Sequence, residues 1–383
     1  MTLLSPIENG SAHQSGARLS RRALGFALAL LLALPLGAPA RAFADVRGTD
    51  EILGASVEAR GLPAVACPNV TASFALVMDD EGTVLFSRGA LERSHIASIT
   101  KIMTAIVALD SGAPLDSTVT VSQEAASVGE SSASLWAGDT LTLEAALAGL
   151  MIPSGNDAAI AIAETLGEGM KTDDSQTANE AFVAAMNAKA AELGMTETLF
   201  SNPHGLDIGT YDNEMYSCAR DVALMSAYAM GNETFRSIVS KESAQITVTR
   251  ADGKPQVIDL QSTDRLLGTY EGACGIKTGY TEAAGNSFAG ACDRGDGLLY
   301  AIVLGSPSED ARFQDTETLF NWVYDNRVSY ALAHSPETVA SAADGGASAA
   351  HRPRVPQRVA DARWRPPSPI PRPPSRCSRP RAM

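Results

Sequence analysis

Histidine and cysteine are both scarce, with five of each in 383 residues. No C-x-x-C pair and no His/Cys cluster occurs, so no metal site and no cofactor is expected. Nothing among the five histidines points to a Ser-His-Asp arrangement. Long apolar runs are lacking too. The run Ala23 to Leu34 is shorter than the roughly 20 residues that cross a bilayer. Positive charge is missing where a nucleic-acid binder would need it. The segment before Asp45 carries four arginines against one glutamate, and the segment from Glu337 carries nine arginines against three acids. The net charge is −14, so the part between them carries about −23, which repels nucleic acid and anionic lipid.

The two ends read as separate from the fold. Arg18, Arg21 and Arg22 precede the apolar run, and Ala42-Phe43-Ala44 offers a small-x-small cleavage site. Residues 1–44 are therefore expected to be a signal for export, by the general secretory route in preference to a twin-arginine one that Ser20-Arg21-Arg22 weakly resembles, and cut before Asp45 or else kept as an uncleaved anchor. Residues 45–335 form the expected catalytic domain. Residues 336–383 run from an Ala/Ser/Gly linker into a Pro/Arg-rich tail that has no period and lacks lysine, and disorder is expected there. The abrupt switch also fits a shifted reading frame.

Between these ends, Ser73 to Asp79 and Thr83 to Ser87 read as a hairpin. Helices are expected over Ser98 to Leu109, Leu141 to Leu150, Asp157 to Leu166, Asn179 to Leu193, Ser217 to Met230 and Asp310 to Tyr324. Strands are expected near Gly279, over Asn286 to Ala291 and over Leu298 to Gly305. Strands at both ends with helices between them suggest one α+β sheet with a helical insertion. A turn near Glu282 to Gly285 would set Cys274 and Cys292 roughly opposite each other, as a cross-strand disulfide or as two buried thiols.

Three short strings carry chemistry. Ser98-Ile99-Thr100-Lys101 places a hydroxyl and an amine on one face of a helix start. Desolvation and a nearby cation, Lys277, would lower the Lys101 pKa until the amine can accept the Ser98 proton. Alone, the string also fits a serine that merely caps a helix. Ser154-Gly155-Asn156 lies in a helix–helix turn. Ser154 could relay a proton and Asn156 could hold a peptide backbone, although Ser, Gly and Asn suit such a turn anyway. Lys277-Thr278-Gly279 sits on a strand along which a substrate could add, with Gly279 leaving room. Lys277 and Thr278 could bind a carboxylate, and the N–H groups of Ser98 and Tyr280 could hold an oxyanion. His204 reads as structural. Arg312 reads as a carboxylate ligand or as an ion-paired or solvated residue. Trp136 reads as packing.

Taken together, the strings resemble the S-x-x-K, S-D-N and K-T-G set of penicillin-recognising enzymes, with the middle string reading S-G-N here. ASITKIMTA from Ala97, MIPSGNDA from Met151, NPHGLD from Asn202 and GIKTGYTEAAG from Gly275 resemble low-molecular-mass penicillin-binding proteins, specifically serine-type D-alanyl-D-alanine carboxypeptidases. The resemblance implies a penicillin-recognising serine hydrolase fold, α+β, with an antiparallel sheet, flanking helices and a helical subdomain. It implies removal of the terminal D-Ala from peptidoglycan stem peptides through an acyl-enzyme on Ser98, and acylation of the same serine by β-lactams. No C-terminal membrane helix is evident; the Pro/Arg tail stands in its place. The alternatives are a class A-like β-lactamase, a D,D-endopeptidase or a non-catalytic wall-binding module. The Glu-x-x-Leu-Asn string that would serve a β-lactamase's deacylating water is missing after Asn156.

Overall fold

The computed structural model describes residues 46–212 and 214–333. The expected export signal and tail lie outside the described residues. Seven antiparallel strands form the main sheet: β1 (Glu51–Ile52), β2 (Ala55–Ser56), β3 (Phe74–Asp79), β4 (Val84–Arg88) and three more from the C-terminal third. Before β3 lies the short helix α1 (Val57–Arg60). The chain then leaves the sheet for a helical region and returns. The helices are α2 (Lys101–Asp110), α3 (Gln123–Ser127), α4 (Leu143–Met151), α5 (Asn156–Gly167), α6 (Ala178–Glu192), α7 (Ala219–Met230) and α8 (Glu233–Val239). A second, four-stranded sheet joins β5 (Thr118–Thr120), β6 (Thr140–Thr142), β7 (Ser243–Thr249) and β8 (Pro255–Gln261). The chain closes with β9 (Ala273–Thr281), β10 (Gly285–Asp293), β11 (Leu298–Ser306) and α9 (Glu309–Ala333).

The main sheet runs β2-β1-β4-β3-β11-β10-β9. The early hairpin meets the late strands through β3 and β11, with Leu76 opposite Ile302 and Ala75 opposite Val303. Both faces are covered, so the strands read as near-continuous apolar runs. The period of two still sorts them. Ala75, Val77, Leu299, Ala301 and Val303 face the layer formed by α9, with Phe313, Leu319 and Phe320. Leu76, Met78, Tyr300, Ile302 and Leu304 face the helical region. At its centre α2 is buried from Lys101 to Ala108, as expected for a helix that is apolar on nearly every side.

The same alternation separates the two cysteines. A bulge between Ala291 and Cys292 sets Cys292 opposite Ala273. Cys292 packs with the α9 layer and Cys274 against the helical layer. Both are free thiols, so the cross-strand disulfide is not formed. The β7–β8 hairpin lies outside the sequence expectations, although Ile246 and Val248 alternate with polar neighbours.

Candidate active site

Two backbone turns with positive φ carry the first two strings. Ala97 has φ 48° and Ser154 has φ 67°, conformations that cost a non-glycine residue about 1–3 kcal/mol and are kept where the surroundings enforce them. Ala97 opens a 3₁₀ turn, Ala97–Thr100, that runs directly into α2. Ser98 therefore projects from the turn, partly exposed, and caps neither segment. Lys101 is the first residue of α2 and is fully buried.

Three groups surround the Lys101 amine. Nζ lies 2.7 Å from Ser98 Oγ, 2.7 Å from Asn156 Oδ1 and 2.9 Å from the His204 carbonyl oxygen. The Asn156 amide orientation is set by its own Nδ2, which donates to Gly129 O at 3.0 Å. Asn156 begins α5 without capping it. Burial, and next the charge of Lys277, push the Lys101 pKa well below the usual lysine range, while Asp157 opposes them. A neutral amine has two N–H bonds and one lone pair. The two carbonyl-type oxygens can only accept, so they take both N–H bonds and leave the lone pair for Ser98.

Neighbouring groups hold this arrangement. Asp157, buried, accepts from Ser132 Oγ at 2.6 Å and from the Ala133 and Leu135 amides. It thereby fixes the loop whose Ser131 and Gly129 carbonyls bind Asn156. His204 is fully buried. Its Nδ1 accepts from the Leu206 amide, and burial, with Lys101 adding to it, lowers its pKa to about 3. The structural role expected for His204 is what is seen, its backbone carbonyl serving Lys101. Among the described residues, Ser154 Oγ reaches neither Ser98 nor Lys101 by a hydrogen bond, although Ser154 is buried two residues from Asn156.

The third string lies on β9, an outer strand of the main sheet. Lys277 is buried and its Nζ donates to Thr278 O at 3.0 Å. Burial first and Arg312 second lower its pKa to about 7, against the pull of Asp264. Thr278 Oγ1 shares a 2.7 Å hydrogen bond with Thr263 Oγ1. Arg312 is buried rather than solvated; it donates to Glu309 and, at 3.4 Å, to Gly279 O. Burial holds the carboxyl of Asp264 up at about 6 beside these two cations. Tyr280 is largely exposed. The absence of a side chain at Gly279 lets the nucleophile turn approach β9: a Cβ there would meet Ile96 O at 2.6 Å. Trp136 is also not packing. It is 64% exposed, with the Arg250 guanidinium 4.0 Å from its ring centroid. The sequence reading gave no role to Asp157 or Thr263, because their side-chain partners lie 15 to 25 positions away, nor to Asp264, whose charged neighbours Lys277 and Arg312 meet it only in the fold.

The family model described as D-alanyl-D-alanine carboxypeptidase, peptidase S11, matches residues 62–308. A D-alanyl-D-alanine carboxypeptidase of Streptomyces sp. strain K15 is 34% identical over 74% of this chain and 97% of its own length. DacB2 of Mycobacterium tuberculosis, with the same description, is 36% identical over 67% of this chain and 84% of its own. The crystal structure of the Streptomyces K15 DD-transpeptidase superposes with a TM-score of 0.62 at 32% identity, covering 67% of this chain and 98% of that one. This is the penicillin-recognising serine hydrolase fold, and the chain belongs to the D-alanyl-D-alanine carboxypeptidase family.

Proposed function

We propose that this protein is a serine-type D-Ala-D-Ala carboxypeptidase that removes the terminal D-Ala from peptidoglycan stem peptides and is acylated by β-lactams. The observation that carries the reading is the buried Lys101 amine, 2.7 Å from Ser98 Oγ, with both N–H bonds committed elsewhere. Its lone pair takes the Ser98 proton as Oγ attacks the penultimate D-Ala carbonyl. The N–H groups of Ser98 and Tyr280 receive the oxyanion. Lys277 and Thr278, with Arg312 behind them, bind the substrate's carboxylate. Asn156 holds the peptide backbone, and Gly279 lets the strand and the nucleophile turn close on one another. Ser154, which makes no hydrogen bond to Lys101 in the ligand-free site, closes on it as substrate binds and passes the proton to the departing D-Ala. Water then cleaves the ester with Lys101 again as base.

Residues 1–44 serve export in this reading, and the enzyme acts in the cell envelope. No helix among the described residues is long and apolar enough to cross a membrane. The strongly acidic centre of the chain argues against a nucleic-acid partner.

Intact mass after mixing with benzylpenicillin tests the reading. One lasting penicilloyl group per chain, lost in Ser98→Ala, together with D-Ala release from a D-Ala-D-Ala peptide, is the expected result. Rapid consumption of penicillin without an adduct would point to a β-lactamase. Neither adduct nor turnover in folded protein would leave a wall-binding module.

A further inference from the structure

Three segments meet at the nucleophile: the lead-in to Ser98, the turn from Asn202 to Asp207, and the end of β9. Their backbones pass very close together. A Cβ on Gly205 would lie 2.0 Å from Ala97 O, and one on Gly279 would lie 2.6 Å from Ile96 O. Such contacts hold distance but not direction. The polar group common to all three segments is Asp207, which the proposed mechanism leaves unused. Its side chain is 1% exposed. Oδ2 accepts from Thr281 Oγ1 at 2.8 Å and lies 3.1 Å from His95 Nδ1, a close approach that makes no hydrogen bond. Thr281 Oγ1 in turn accepts from the Ala284 amide at 3.1 Å and so pins the turn between β9 and β10. His95 stands three residues before Ser98, and Thr281 stands next to Tyr280.

We propose that Asp207 is a positioning residue for acyl transfer: its buried carboxylate holds the end of β9 through Thr281 and packs it against the lead-in at His95, and so sets the separation of the Ser98 and Tyr280 amides. The proposal rests on the acyl-transfer reading above. Several features favour it. β9 is an outer strand, so no further strand fixes its far edge. The turn at Ala97 is strained and needs outside support. Asp207 Oδ1 is buried without a hydrogen-bond partner, a costly state for a carboxylate that did nothing beyond local bonding. An oxyanion hole needs both donors within a few tenths of an ångström of their working places.

The test is stopped-flow acylation of the full chain by a fluorescent penicillin, separating the encounter constant K from the acylation rate constant k2. Thr281→Val removes one hydroxyl at nearly constant volume. It is expected to lower k2 about tenfold while K stays within about twofold. Thr281→Ser restores k2. Asp207→Ala gives the same loss, and adding it to Thr281→Val gives no further loss, because the two act as one unit. A penicilloyl stoichiometry of one per chain reports folded protein in each case. Wild-type k2 in Thr281→Val would overturn the proposal, as would additive losses, or a loss carried by K. Thr281→Val and Thr281→Ser decide the matter even where Asp207→Ala does not fold. A wild-type chain that forms no adduct, or a Ser98→Ala chain that still does, removes the acyl-transfer reading itself, and the Asp207 proposal with it.

Discussion

Gly205 and Ala97 are in such close backbone contact that a single methyl group on Gly205 would lie 2.0 Å from the Ala97 carbonyl oxygen. Gly205 also has φ +92°, which side-chain-bearing residues avoid. Both facts make Gly205→Ala a mutation of the nucleophile turn at a distance. Unfolding in urea should show a loss of about 2 kcal/mol or more, from strain and from the displaced turn. The folded fraction should acylate slowly. Gly209→Ala is the comparison, because its φ is +61° but nothing lies within 4 Å of its Cβ. That change should cost only the backbone term of about 1–2 kcal/mol and leave acylation alone. Equal effects of the two changes would show that the contact with Ala97 is unimportant.

The pH dependence of acylation follows from the state of Lys101. Only the neutral amine can take the Ser98 proton, so k2 should rise with pH through the Lys101 pKa and then level off. That rise should fall well below the ordinary lysine range, because burial and the charge of Lys277 lower the pKa. Removing the second cation should raise it again. In Lys277→Gln the rising limb of k2 therefore moves to higher pH, whereas Lys277→Arg, which stays charged above the Lys277 pKa of about 7, keeps the limb at or below its wild-type position. A limb unmoved in Lys277→Gln would mean that burial alone sets the Lys101 pKa.

The chemistry was more legible in the sequence than the architecture. Ser98 and Lys101 are three positions apart, so their meeting follows from helical spacing alone. The strands around Gly279, Ser287 and Ile302 stand out because a sheet covered on both faces produces unbroken apolar runs. The last helix starts one residue before the expected Asp310 and runs on to Ala333, since boundaries depend on caps more than on pattern. The second sheet escaped notice for a different reason. β5 and β6 have three residues each, and only β6 reaches the hairpin more than a hundred positions away, with Thr140 opposite Thr249, so their local signal is slight. Asp157 and Asp207 escaped for the same reason: a carboxylate's partners are set by tertiary approach, and no spacing rule announces them.

Reduction should not destabilise the protein. Cys67, Cys218, Cys274 and Cys292 are all free, and the strand alternation sends Cys274 and Cys292 to opposite faces. Burial pushes the thiols of Cys218 and Cys274 up to about 12, so little thiolate exists at neutral pH. The Tm with and without a dithiol reductant should agree. A disulfide closing this hairpin would be worth about 2–4 kcal/mol, so a fall of several degrees on reduction would reveal one.

His204 should make the fold sensitive to acid. Its Nδ1 accepts the Leu206 amide at 3.1 Å, which places the neutral ring's proton on Nε2. A second proton would have to displace that hydrogen bond, in a fully buried site beside Lys101. Burial first and Lys101 second lower the pKa to about 3. In the unfolded chain the same group titrates near 6.5. Between those limits the unfolded state binds a proton that the folded state refuses, so stability falls as pH drops through the window. The fall approaches about 1.4 kcal/mol per pH unit from this one residue. Above about 6.5 the contribution vanishes, because both states are neutral. His204→Asn can still accept from the Leu206 amide but has no proton to gain. Its Tm should drop less between pH 7 and pH 4 than that of the wild type. Parallel losses in the two proteins would place the acid sensitivity in the carboxylates instead.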